Sequence, residues 1–194
     1  VPSDYSAKKK FPLMLFLHGA GERGDDLDLV RKWGPPRIVK KKKDFPFILI
    51  SPQCPSGSFW TRHVAELAKL VEESSSRLSV DRQKMYCTGL SMGGFGTWSL
   101  CASHPKLFAA AAPICGGGKP SLALKLKDLP IWAFHGDADR VVPFSYSEKM
   151  VKAIKEAGGK KVKLTRYEGV GHNSWSKAYA TKELYDWMLA SGQD

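Results

Sequence analysis

Apolar runs that end in glycine recur along this chain with helix-like segments between them, and that recurrence admits few folds. The first run, Phe11 to Leu17 (FPLMLFL), is apolar at every position and stops at His18-Gly19-Ala20-Gly21. A strand apolar on both faces belongs inside a parallel sheet covered by helices on either side, whereas a half-solvated antiparallel strand alternates. Five further runs follow, at 45–50 (FPFILI), 84–90 (KMYCTGL), 107–114 (LFAAAAPI), 129–136 (LPIWAFHG) and 162–169 (VKLTRYEG). Between them, Trp60 to Leu78, Met92 to His104, Phe144 to Ala157 and Trp175 to Ala190 carry apolar residues at three- and four-residue spacing, which predicts helices. Right-handed crossovers wind such a chain into a doubly wound α/β sheet, whose sites form beyond the carboxyl ends of the strands.

At 194 residues and 43% hydrophobic content the chain can bury one sizeable core, and it contains neither an internal repeat nor a linker rich in Gly, Pro or Ser. A single domain over 1–194 is expected. No run of 18 apolar residues occurs, and the first residues lack the apolar stretch of a signal peptide, so a soluble, cytoplasmic protein is the expectation. The net charge of +11 comes largely from Lys8 to Lys10, Lys40 to Lys43 and Lys160, Lys161 and Lys163. No aromatic residues interleave these lysines and no recognition motif accompanies them, so they read as solvated faces and not as a nucleic-acid surface. Cys54, Cys87, Cys101 and Cys115 show no CxxC spacing and no nearby His cluster, which argues against zinc and for free thiols in a reducing compartment.

The chemistry concentrates after the 84–90 run, where Gly89-Leu90-Ser91-Met92-Gly93 satisfies G-x-S-x-G between a strand and a helix. A nucleophile on so sharp a turn adopts strained backbone angles, and its neighbours must be glycine for strand and helix to pack closely. A phosphate loop would need a following Lys or a GxGxxG in the first unit, and the chain has neither. Ser91 is therefore the candidate nucleophile, and it requires a base and an acid on later strand ends. The order nucleophile, acid, base is met by His135-Gly136-Asp137-Ala138-Asp139 after one strand and Gly171-His172-Asn173 after the next. Among the five histidines, His63 and His104 fall in helical segments and His18 and His135 precede glycine at strand ends, where loop organisation is the simpler role. His172 alone follows the last strand.

Taken together, PLMLFLHGAGERGDD, ISPQCP, YCTGLSMGGFGTW with SHPKLFAAAAPICGG, FHGDADRVVP and GVGHNSW are similar, in order and spacing, to the serine esterases of the phospholipase/carboxylesterase and poly(hydroxyalkanoate)-depolymerase-like branch of the α/β-hydrolases. The resemblance covers nearly the whole chain. It implies an α/β-hydrolase fold in which Asp139 is the acid, while Asp137 binds the backbone of its own turn. It also implies an oxyanion hole built from the backbone N–H groups of Met92 and Ala20. Against that family's pattern the two antiparallel strands that usually precede 11–17 are not expected in these residues, so the resemblance implies that the 45–50 run is a sheet edge, followed by 11–17, 84–90, 107–114, 129–136 and 162–169. That order puts Cys54 and Cys115 three strand spacings of about 4.8 Å apart, beyond disulfide reach.

Only Cys115 to Asp128 is available for a lid, too little for a cap domain, which suits small or accessible esters. Trp60 and Trp175, placed after strand ends, are candidate walls of the substrate pocket. The expected reaction is acyl transfer through an acyl-enzyme, needing no metal or organic cofactor and taking a small-molecule ester as its partner. A thioesterase or serine peptidase would use the same triad, and a ligand-binding receptor could be built on the same fold.

Overall fold

A computed structural model describes residues 1–41 and 44–192, so Lys42 and Lys43 of the lysine run lie outside the described residues. Six strands form one sheet: β1 (Phe11–Leu17), β2 (Ile48–Ile50), β3 (Val80–Leu90), β4 (Ala110–Ile114), β5 (Ile131–Gly136) and β6 (Val162–Tyr167). The order is β2-β1-β3-β4-β5-β6 and every pairing is parallel. This is the doubly wound sheet expected from the apolar runs, with β2 at an edge.

Strand alternation divides the core in two. Leu13, Leu15 and Leu17 of β1 and Cys87 of β3 face one layer, which includes Leu67, Val71, Trp98, Met150 and Ile154. Met14 and Phe16 of β1 and Tyr86 of β3 face the other, with Tyr179, Leu184 and Met188. The helices of the first layer are α2 (Val64–Arg77), α3 (Met92–Ser103) and α4 (Ser145–Glu156). Those of the second are α1 (Gly34–Lys41), α5 (Trp175–Ala180) and α6 (Lys182–Ala190). Burying a side chain such as Phe16 contributes about 1.5–3 kcal/mol relative to an exposed one, so both faces of β1 favour this seat at the centre.

Several boundaries differ from the sequence expectation for identifiable reasons. β2 starts at Ile48 because Pro46 has no N–H to give a ladder. The helix expected over Trp175 to Ala190 breaks at Thr181, whose backbone is extended (φ −78, ψ 111). The break seats Tyr179 in the core, where its hydroxyl lies 2.9 Å from Thr88 Oγ1, and the Tyr185 hydroxyl donates to the Tyr179 carbonyl at 2.9 Å. Helix α1 was not expected. Gly34 at φ +63 precedes Pro35 and Pro36, and proline suits a first helical turn, whose N–H groups have no partner to lose. The Cys115 to Asp128 segment forms a short 3-10 stretch, Pro120–Leu126, with Ala123 and Leu126 buried.

The sheet order reverses beside β1, which has β2 on one side and β3 on the other, so a crevice opens beyond the carboxyl ends of β1 and β3. The loop at Ala20 and the turn at Ser91 meet there.

All four cysteines are buried and unbridged. Native protein should react slowly with a thiol reagent, and denatured, unreduced protein should yield four free thiols. A count of two, with Cys54 and Cys115 in one linked peptide, would contradict the strand order.

Candidate active site

Ser91 stands between β3 and α3 with φ 53 and ψ −116, a conformation that L-residues rarely adopt. Ser91 N–H donates to the Ile114 carbonyl at 2.9 Å, and the Ser91 carbonyl accepts from Phe95 N–H at 3.0 Å, which pins the residue between β4 and the first turn of α3. The turn can be this tight only because Gly93 has no side chain: a Cβ there would lie 1.9 Å from the Leu17 carbonyl oxygen. A Cβ on Gly89 would likewise lie 2.4 Å from the Gly93 carbonyl oxygen.

The structure brings Ser91, His172 and Asp139 into one chain of hydrogen bonds. Asp139 Oδ2 accepts from His172 Nδ1 at 2.7 Å, and His172 Nε2 lies 2.9 Å from Ser91 Oγ. With its Nδ1 proton engaged by the carboxylate, the imidazole offers Nε2 as acceptor to the serine hydroxyl. Burial works to raise the Asp139 pKa, but hydrogen bonds from His172 and from the backbone N–H groups of Val142 and Val141 outweigh it and hold the carboxyl below its ordinary range.

Asp137 stands apart from this chain. Its carboxylate pairs with Arg166 at 2.8 Å and accepts from Gly169 N–H at 2.8 Å. Beyond the backbone of its own turn, where it was expected, Asp137 ties that turn to the end of β6, while Asp139 holds it through Val141 and Val142.

Beside Ser91 lies a cavity of about 370 Å³ lined by Ala20, Phe59, Trp60, Thr61, Met92 and Phe95. Both expected oxyanion donors, Ala20 and Met92, border it. The Ala20 loop is braced from several sides. Cys54 N–H donates to His18 Nε2 at 3.0 Å, leaving Nδ1 to donate to the Gly19 carbonyl at 2.6 Å. Arg23 donates to the carbonyls of Ala20 (2.9 Å) and Ser58 (3.1 Å). Trp60 Nε1 donates to the His18 carbonyl at 2.9 Å while its ring borders the cavity.

Trp175 is placed otherwise than expected. Its ring packs edge-on against His172, with centroids 5.3 Å apart, and it borders a different cavity of about 660 Å³ with Trp33, Arg37, Tyr179 and Tyr185. The start of α5 directs the side chain behind His172 and away from the Ser91 pocket. Phe59 and Phe95 were missed as pocket residues. Phe95 lies four residues after Ser91, and that helical spacing was the available signal.

Cys115, Asp139 and His172 bring a thiol, a carboxylate and an imidazole within 4.8 Å. They do not suit a metal, because Asp139 and His172 already bind each other and burial pushes the Cys115 thiol up to about 12, far from the thiolate a metal would need.

Over residues 57–182, about two thirds of its length, the chain matches the phospholipase/carboxylesterase family. The chain belongs to that family. A probable feruloyl esterase C of Aspergillus niger is 24% identical over 91% of this chain and 67% of its own length. A poly(3-hydroxyalkanoate) depolymerase C of Paucimonas lemoignei is 41% identical over 60% of this chain. The crystal structure of a thermostable esterase superposes over all of this chain with a TM-score of 0.88 at 38% identity. The chain spans 30% of that depolymerase and 58% of that esterase. The α/β-hydrolase fold of the family is therefore the fold of this chain.

Two substitutions probe the geometry. Gly93→Ala should lower stability by about 3 kcal/mol, since neither backbone can yield, and a melting temperature reduced by roughly 6 °C or more would report it. A variant as stable as the parent would contradict the contact. The depressed pKa of Asp139 means that its stabilisation is fully present above the ordinary carboxylate pKa of about 4 and is lost as pH falls through its lower folded value. Asp139→Asn should therefore flatten the acid side of the melting temperature against pH. An unchanged acid slope would show that Asp139 is not the depressed group.

Proposed function

We propose that this chain carries the catalytic centre of a carboxylic ester hydrolase acting on small or accessible esters. The observation that carries the reading is the hydrogen-bonded chain Asp139–His172–Ser91 beside a cavity bordered by Ala20 and Met92. Membership in the phospholipase/carboxylesterase family supports it.

Ser91 Oγ attacks the ester carbonyl carbon while His172 Nε2 takes its proton, and Asp139 stabilises the imidazolium that forms. The carbonyl oxygen becomes an oxyanion that accepts from the N–H groups of Met92 and Ala20. His172 then returns the proton to the leaving alkoxide as the C–O bond breaks, leaving an acyl-Ser91 ester. Water, deprotonated by His172, attacks that ester, and as the bond from the acyl carbon to Ser91 Oγ breaks, His172 returns the proton to Oγ, releasing the acid and regenerating Ser91. Phe59, Trp60 and Phe95 give the pocket an apolar lining that suits a hydrocarbon or aromatic substituent, and the 46% exposure of Phe59 keeps its mouth accessible.

Ser91→Ala should lower kcat on a p-nitrophenyl ester by roughly 10⁴-fold or more without loss of folding, and should abolish labelling by a fluorophosphonate. Asp139→Asn should cost roughly 10³ to 10⁴ and Asp137→Asn about tenfold at most. Retained turnover in Ser91→Ala would sink the reading, and the reverse ranking of the aspartates would reassign the acid.

A further inference from the structure

His135, near the end of β5, is wholly buried, yet the acyl-transfer steps above do not use it. Its Nε2 lies 3.2 Å from Asp139 Oδ2, the same oxygen that accepts from His172 Nδ1. Nε2 also lies 2.9 Å from the Val142 carbonyl oxygen. A carbonyl only accepts, so Nε2 carries a proton in any form that keeps this contact, and that proton sits between Val142 O and Asp139 Oδ2. On the other side of the ring, Nδ1 lies 2.7 Å from Ser147 Oγ, which is itself 2.9 Å from the Gly116 carbonyl oxygen.

We propose that His135 is a positioning residue for the reaction: a second imidazole on Asp139, whose Nε2–H holds and polarises the carboxylate oxygen that His172 uses. The proposal rests on the triad reading above and adds a member that acts through Asp139, never touching substrate.

The consequence follows from the charge around Asp139. The titratable groups facing its carboxylate are His172 from the loop after β6, His135 from β5 and the Cys115 thiol after β4, while Asp137 is turned to Arg166. Burial pushes the His135 pKa down, favouring a neutral ring that donates from Nε2 and whose Nδ1, in place of the Gly116 carbonyl, accepts from the Ser147 hydroxyl. A donor on Oδ2 draws charge away from the oxygen facing His172. Without it the carboxylate holds a proton on His172 more tightly, and the base stays protonated, hence inactive, to higher pH.

The test compares His135→Phe, which keeps a ring and removes both nitrogens, with His135→Gln, whose carboxamide N–H₂ can donate to Val142 O and Asp139 together. In His135→Phe, kcat on a p-nitrophenyl ester should fall roughly tenfold with KM within about twofold, and the acid limb of kcat/KM against pH should move up by about 0.5–1 unit. His135→Gln should bring the limb back toward the parent position. A purely structural role would lower stability or the active fraction and leave the limb in place, and that result would overturn the proposal. Should His135→Phe fail to fold, imidazole ¹⁵N NMR of the parent chain decides. A protonated His135 Nε2 whose resonance shifts as His172 titrates supports the proposal, and a bare or unresponsive Nε2 overturns it. Fluorophosphonate labelling of the parent keeps the two readings distinguishable. Absence of label at Ser91 defeats the triad reading and this one with it, whereas labelling with an unmoved acid limb defeats this one alone.

Discussion

Gly93 approaches the carbonyl of Leu17 more closely than any side chain would permit, and the site depends on that contact. It seats α3 directly across the ends of β1 and β3, where the strand order reverses. Ser91 then stands in a rarely populated backbone conformation at the mouth of the crevice, with Ala20 from the loop after β1 and Met92 from α3 bordering one cavity. The strain is offset by α3 itself, buried on nearly every side, and by the Ile114 and Phe95 hydrogen bonds that leave Ser91 little freedom to relax.

Burial at the carboxyl edge of the sheet sorts the titratable groups into distinct roles. Asp139 has a fully buried side chain and is nonetheless held anionic, because three donors, from His172, Val141 and Val142, engage its two oxygens. Cys115 is similarly buried, and the Ser91 backbone and the Ser174 side chain, which favour the thiolate, do not offset that burial, so it is kept a thiol. His18 is pushed toward its neutral form by burial, consistent with a ring that accepts from Cys54 N–H and donates to the Gly19 carbonyl. Two residues from Asp139, Asp137 lies at the surface and uses its charge on Arg166. Spacing of two along an irregular loop thus separates a buried electrostatic task from a surface bracing one.

The open mouth of the pocket has its own physical basis. Phe59 is flanked by the guanidinium groups of Arg23 and Arg62, at 5.2 and 5.9 Å from its ring, so its exposed face is partly covered by cations that also remain solvated. Arg23 meanwhile donates to the Ala20 carbonyl, so one side chain supports both the pocket rim and the loop bordering Ser91.

Much of this was legible in the residues because it follows from local rules. Runs apolar on both faces fit parallel strands covered by helices, and a glycine-flanked serine after such a strand fits a sharp turn, so β1 and the placement of Ser91 and His172 after strand ends could be anticipated from pattern, whereas the sheet order and the choice of Asp139 followed from the resemblance to known esterases. The break at Thr181, helix α1 and the turning of Trp175 behind His172 could not, because they depend on what each side chain meets from distant segments: Thr88 for Tyr179, Phe16 for Gly34, Trp33 for Trp175. His135 shows the division within a single residue. Its sequence, a histidine before glycine at the end of a strand, determined that it would stand at the carboxyl edge and serve the loop there. Only the tertiary structure, by folding the loop after β5 back over its ring, decided that its Nε2 would share an oxygen of Asp139 with His172, since which two groups meet across a loop depends on backbone angles that no periodicity encodes.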